Sequence, residues 1–156
     1  MLLILAGGIS YLVILEVFTS KKKPNQYRAF TKIVLLMTLT IIIVGGFLIW
    51  LSDGLKENNP ISLFNAYFQI ITSRTAGFTT YKPDDLSSVG KAISALSMFI
   101  GGAPLGTAGG IKVTTIYLVI LSLICYIRGK NVSSFKRAYS TKLILKAMSL
   151  VFIGAF

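Results

Sequence analysis

Histidine is absent from this 156-residue chain, and cysteine occurs once, at Cys125, inside an apolar run. A disulfide framework is therefore excluded, and no Cys/His cluster exists to hold zinc. Nucleophilic triads built on histidine go with them. The acids number 5, too scattered to form a carboxylate pair, so enzyme chemistry has little to work with. Charge of either sign is scarce at 13%, about half of what a soluble domain carries. What replaces it is apolar: 54% of the residues are hydrophobic and the mean hydropathy is +0.75. This composition places the chain in a membrane.

The net charge of +11 invites a nucleic-acid reading, but the positions oppose it. Lys21, Lys22, Lys23, Arg28 and Lys32 fall in one stretch between apolar runs, and Arg128, Lys130, Lys136, Arg137, Lys142 and Lys146 fall in another. Asp53, Glu57, Asp84 and Asp85 lie between those two stretches. Clustered lysine and arginine in short loops mark the cytoplasmic side of a membrane, which puts the acidic middle outside. A nucleic-acid face would not be cut apart by apolar spans. No nucleic-acid partner is expected.

Met1–Leu15 is uncharged and reads as the cytoplasmic half of a spanning helix. It lacks the positive start and cleavage site of a signal peptide. Glu16 follows, either a snorkelling carboxylate at a helix end or an ion ligand. Residues 1–19 thus close one span, and 20–32 form a cytoplasmic loop. Ile33–Leu51 is uncharged, long enough to cross, and has Trp50 as an interfacial anchor. After a polar turn, Ile61, Phe64, Tyr67, Phe68 and Ile71 recur at helical spacing over 61–73. That helix is too short to cross and must return by another route. The return is Ser73-Arg74-Thr75-Ala76-Gly77-Phe78-Thr79-Thr80, a polar stretch centred on a glycine.

Lipid tolerates irregular backbone only where protein buries it or water lines it. An ordered loop rich in carbonyls and hydroxyls is how a protein replaces the hydration shell of a permeating cation. Carbonyls of Thr75, Ala76, Gly77 and Phe78 are the expected ion ligands within a filter at 75–79, with Gly77 its narrowest backbone point. Phe78 and the helix aromatics should brace it from behind. Arg74 either tunes the ion's approach or, as the favoured reading, braces the filter by bonding carbonyls.

Residues 91–127 are too long for one straight span. Their centre, Gly101-Gly102-Ala103-Pro104-Leu105-Gly106-Thr107-Ala108-Gly109-Gly110-Ile111-Lys112, is rich in glycine and holds a proline, so two half-helices joined inside the membrane are expected. A P-loop is excluded, because Ile111 separates the glycines from Lys112. Lys112 is costly near mid-membrane unless it meets carbonyls, acids or water. A second basic loop (128–142) and the start of another span (143–156) follow. The chain begins and ends within apparent spans and reads as a piece of a longer polypeptide or a truncated product.

The order of span, half-helix, TAGF loop and broken span resembles the Trk/Ktr/HKT superfamily of potassium and sodium transporters. Three motifs carry the likeness: Leu5-Ala6-Gly7-Gly8-Ile9; Ser62–Gln69 with Arg74–Thr80; and Phe99–Gly102 with Thr107–Thr115. The resemblance implies an all-α integral membrane fold of span, pore helix, filter and interrupted span, here the third of four pore repeats over 33–127. It implies potassium as substrate, with sodium left open by one filter of four, and no covalently bound cofactor. It further implies a multi-pass protein of the plasma membrane, a homodimer, and a cytoplasmic nucleotide-binding regulatory subunit. By the same resemblance Gly101, Gly102, Gly106, Thr107, Gly109, Gly110 and Lys112 form a gate under the filter. One departure stands out. The family pattern has serine, glycine and serine where this chain has Ala103, Leu105 and Gly106, which makes the loop bulkier. The competing class is a non-transporting membrane scaffold or an inactive fragment.

Overall fold

The computed structural model describes residues 1–19, 27–55, 60–80, 82–106, 108–129, 132–134 and 137–155. Among them the chain is helical, apart from a short antiparallel ladder of β1 (Ser133–Ser134) with β2 (Arg137–Ala138). The helices are α1 (Leu2–Gly8), α2 (Tyr11–Thr19), α3 (Ala29–Asp53), α4 (Leu63–Ser73), α5 (Ser88–Phe99), α6 (Val113–Ile127) and α7 (Thr141–Ala155).

The organising element is α3. Its mean hydropathy reaches 2.7, and at 25 residues it is long and apolar enough to cross a membrane. It overruns the expected 33–51 at both ends. At the start, the Glu16 carboxylate accepts hydrogen bonds from the Arg28 backbone N–H and the Thr31 hydroxyl. Glu16 therefore stabilises the entrance of α3 from the end of α2 and is neither free nor snorkelling. At the far end, buried Asp53 accepts from the Ser87 backbone N–H at 2.7 Å and from the Ser87 hydroxyl at 3.0 Å. This latch ties the end of α3 to the start of α5.

The packed face of α3 is mixed, and its exposed face is apolar over the middle turns apart from Thr40. Thr31, Thr38, Gly46 and Asp53 face inward beside Ile33, Val34 and Ile49, while Leu36, Leu39, Ile43, Phe47 and Leu51 are exposed. In lipid, apolar side chains gain little by leaving the solvent, so small and polar residues mark the packed face. Gly46 shows why. A β-carbon there would come within 2.4 Å of the Tyr67 ring, so α4 lies directly against the glycine.

Two cores sit at opposite ends of α3. One gathers Ile49, Ile61, Ala66, Ile70 and Leu86, holding α4 against α3 and α5. The other gathers Val13, Val34 and Ala103, holding α2 and the middle of the broken span against the start of α3. The half-helix and the break thus have separate supports on one rod.

Three boundaries differ from expectation. The half-helix begins at Leu63 rather than Ile61, because the Ser62 hydroxyl accepts from the Asn65 N–H and so fixes the start. The broken span begins at Ser88, capped likewise by Ser87. The N-terminal segment is two helices rather than one half-span, interrupted at Ile9–Ser10. The tetrapeptide Ala-Gly-Gly-Ile precedes this interruption at Ala6–Ile9 and recurs at Ala108–Ile111, and each copy is followed two residues later by a helix, α2 and α6. The two glycines weaken the helix at both places.

Candidate filter and break

The last turn of α4 passes straight into the glycine loop. The Thr72 carbonyl accepts from the backbone N–H groups of Thr75, Ala76 and Gly77 at 3.2, 2.9 and 2.8 Å. A trans peptide points its carbonyl opposite to its N–H. The carbonyls of Thr75 and Ala76 are therefore directed away from the helix end. Among the described residues none of the carbonyls of Thr75, Ala76, Gly77 and Phe78 accepts a hydrogen bond. Unpaired backbone carbonyls attract cations, and the negative end of the α4 dipole adds to that attraction.

Gly77 has a φ of +70°, and no atom lies within 4 Å of where its β-carbon would be. Its glycine is required by backbone angle, and among the described residues nothing closes in on it. Arg74, Thr75 and Ala76 lie in a turn, and Gly77–Thr79 run on without regular secondary structure. Phe78 is 67% exposed and Phe64 on α4 is 63% exposed. Among the described residues nothing covers Phe78, whose backbone follows the turn at Thr72–Gly77.

Arg74 is buried, and its guanidinium reaches across to the break. Nη2 donates to the Gly101 carbonyl at 3.0 Å and Nε to the Ile100 carbonyl at 3.4 Å. It bonds carbonyls as favoured, but those of the broken span rather than those of the filter. The Ser73 and Ser97 hydroxyls make a second link between α4 and α5.

The break itself is a closed piece of backbone. Gly101 N–H donates to the Ile111 carbonyl at 3.0 Å, Ile111 N–H to Phe99 at 3.1 Å, and Val113 N–H to Gly102 at 3.2 Å. The two ends of the loop are thereby paired as a parallel bridge. Ala103 N–H donates to the Gly8 carbonyl at 3.0 Å, which seats the loop on the first Ala-Gly-Gly-Ile segment. Gly106 N–H returns to the Ala103 carbonyl at 3.1 Å, closing a turn with Pro104 second and Leu105 third. Leu105 has a φ of +64°. That is the glycine position of a type II turn. Lys112 Nζ donates to the Ala108 carbonyl at 2.8 Å, which engages one of its three N–H groups locally. Thr107 lies outside the described residues.

The expected groups therefore converge. Gly101 touches the filter end through Arg74 and Gly102 accepts from Val113, while Gly109, Gly110 and Lys112 stand on the other arm of the bridge. The Arg74 link and the seat on Gly8 were not readable in advance; the repeated Ala-Gly-Gly-Ile was the available signal for the second.

Sequence comparison decides the family. The TrkH family model, described as "Cation transport protein", matches residues 1–153. The chain belongs to the TrkH family. The Ktr system potassium uptake protein B of Bacillus subtilis is 30% identical over 171 residues, covering 99% of this chain and 38% of that protein. The potassium/sodium uptake protein NtpJ of Enterococcus hirae is 28% identical over 161 residues, covering 97% and 35%. The Ktr system potassium uptake protein D of Bacillus subtilis is 31% identical over 159 residues, covering 95% and 35%. The chain spans little more than a third of the length of these relatives. Family membership bears out the Trk/Ktr resemblance and the assignment to membrane transporters rather than enzymes.

Proposed function

We propose that residues 33–127 form one pore repeat of a monovalent-cation transporter, with Thr75–Phe78 as its filter and potassium as its substrate. Four successive carbonyls that accept from no donor among the described residues, at the negative end of a short helix, carry this reading. A dehydrated cation needs oxygens that are fixed but not already paired, and these are. The twofold use of Ala-Gly-Gly-Ile before a helix supports residues 1–19 as the end of a preceding repeat, with 143–156 opening the next. Arg74 makes the break and the filter one mechanical unit, so Gly101–Lys112 can report its position to the ion path as a gate.

Replacing Gly77 with serine in the protein carrying this chain tests the filter. A side chain at φ +70° costs about 1–2 kcal/mol and displaces the carbonyls on either side. Potassium-dependent growth at low external potassium should weaken, and relative sodium permeation should rise. Potassium affinity and sodium discrimination both equal to the parent would remove the filter assignment. The relatives' names include both potassium and potassium/sodium uptake, so the measurement of sodium decides the substrate as well.

Charge placement puts Lys82 outside and Arg128 in the cytoplasm. Both are exposed, unlike Ser87, whose hydroxyl caps α5 and serves the Asp53 latch. With Cys125 replaced, a cysteine at Lys82 should react with an impermeant maleimide from outside the cell, and one at Arg128 should not; the reverse pattern overturns the orientation. A homodimer and a soluble nucleotide-binding subunit belong to the same proposal. A solubilised protein with the mass of one copy and no copurifying subunit would remove both.

A further inference from the structure

Behind the loop at Thr75 lies a cleft of about 10 Å³ whose walls include Gly8, Thr38, Arg74, Thr75 and Gly102. It joins α1, α3, the end of α4 and the break. Thr38 is only 7% exposed, and the hydroxyl oxygens of Thr38 and Thr75 are both buried with no hydrogen-bond partner among the described residues. Such hydroxyls ordinarily turn back to a carbonyl of their own helix. Thr40 does so, donating to Leu36 at 2.8 Å, and so does Thr72, donating to Phe68 at 2.9 Å. Thr38 stands two residues from Thr40 on the same helix and does not.

A space of this size is about one water, and a buried water is held by two to four polar partners. The cleft is lined by both threonines and Arg74, with Ile4, Leu5 and Ile71 closing its apolar side. We propose that it binds a single structural water bridging Thr38 Oγ1 and Thr75 Oγ1. The bridge makes Thr38 a positioning residue, tying the first filter residue to the long span although Thr38 does not itself coordinate the ion. This inference rests on the reading of Thr75–Phe78 as a filter.

The test compares Thr38→Val, Thr38→Ser and Gly77→Ser in the protein carrying this chain, with the amount in the membrane measured alongside sodium and potassium permeation. Valine keeps the shape and removes the hydroxyl; serine keeps the hydroxyl. Thr38→Val should raise relative sodium permeation about fivefold, the effect of one lost buried hydrogen bond, and Thr38→Ser should stay near the parent. Valine and serine altered alike would assign the effect to the lost shape and overturn the bridge. Parental selectivity in Thr38→Val beside altered selectivity in Gly77→Ser overturns the bridge and leaves the filter standing. Parental selectivity in both removes the filter, and the inference with it. Should Thr38→Val fail to reach the membrane, a map of the parent fine enough to show ordered water decides: density within hydrogen-bond reach of both hydroxyls supports the bridge, and a dry cleft overturns it.

Discussion

Gly77 and Gly101 both stand where helical backbone gives way, but a β-carbon added to each would meet different surroundings. At Gly77 it would point into open space from a left-handed φ of +70°. At Gly101 it would lie 1.6 Å from the Gly109 carbonyl oxygen, with no unusual φ to blame. The first glycine is demanded by backbone angle and leaves its outer side unfilled. The second is demanded by contact, since two arms of backbone pass with nothing between them. A region that is conformationally fixed yet open suits binding of something from outside the chain. A region closed on its own backbone suits a structural joint.

The sharpest way to break this comparison is to add one methyl group to each. Gly101→Ala should be the most damaging substitution in the chain, because the obstacle is backbone carbonyl that cannot rotate aside. The Gly101–Ile111 hydrogen bond and the parallel bridge would have to open, at a cost above about 4 kcal/mol. Thermal stability in detergent should collapse or folded protein should be lost. Gly77→Ala, by contrast, should cost about 1–2 kcal/mol and still fold. Equal melting behaviour of the two variants would show that the contrast between angle and contact is false.

A smaller effect is expected at Lys112, on the return arm of the break. Its Nζ is held by the Ala108 carbonyl at 2.8 Å, and a hydrogen bond to a charged group is worth about 1.5–3 kcal/mol. Lys112→Ala removes that clasp while leaving the Gly101–Ile111 pairing intact. If the break gates the path, the open population should grow by about tenfold and cation flux should rise with it. Flux that stays level or falls in a protein that still inserts would leave the break a joint and nothing more.

How far such features could be read in advance depended on how far apart their partners stand in the chain. The long apolar run of α3 and the helical spacing of α4 announced themselves, because periodicity is local. So did the break, since five glycines and Pro104 cannot sustain a helix. Arg74 was legible as a carbonyl-bonding residue but not as a link to Gly101, 27 positions later. Glu16 by itself reads as a snorkelling carboxylate or an ion ligand, because its partners, Arg28 and Thr31, lie at the start of another helix. Phe78 invited a bracing role by its residue type, and among the described residues it is left exposed. The interruption at Ile9–Ser10 was missed although its sequence repeats that of the break.

Leu105 offers the finest adjustment. It occupies the third position of the turn closed by Gly106 and Ala103, with a φ of +64°. A left-handed conformation costs a side-chain-bearing residue about 1–2 kcal/mol, whereas glycine adopts it freely. Glycine brings its own penalty of about 0.5–1 kcal/mol in the freedom it loses on folding. Leu105 is 59% exposed, so little packing is forfeited within this chain by removing it. Leu105→Gly should therefore stabilise the protein slightly, by at most about 1 kcal/mol. Leu105→Ala keeps the strained angle and removes the bulk, which separates two roles for the leucine. If its bulk obstructs the ion path, alanine and glycine should raise flux alike. If its strain merely loads the loop, only glycine should change thermal stability, and alanine should leave flux at the parental level. Neither variant differing from the parent in flux or melting would mean that the turn adopts its left-handed angle without cost, and that the leucine in the glycine place has no bearing on how the break moves.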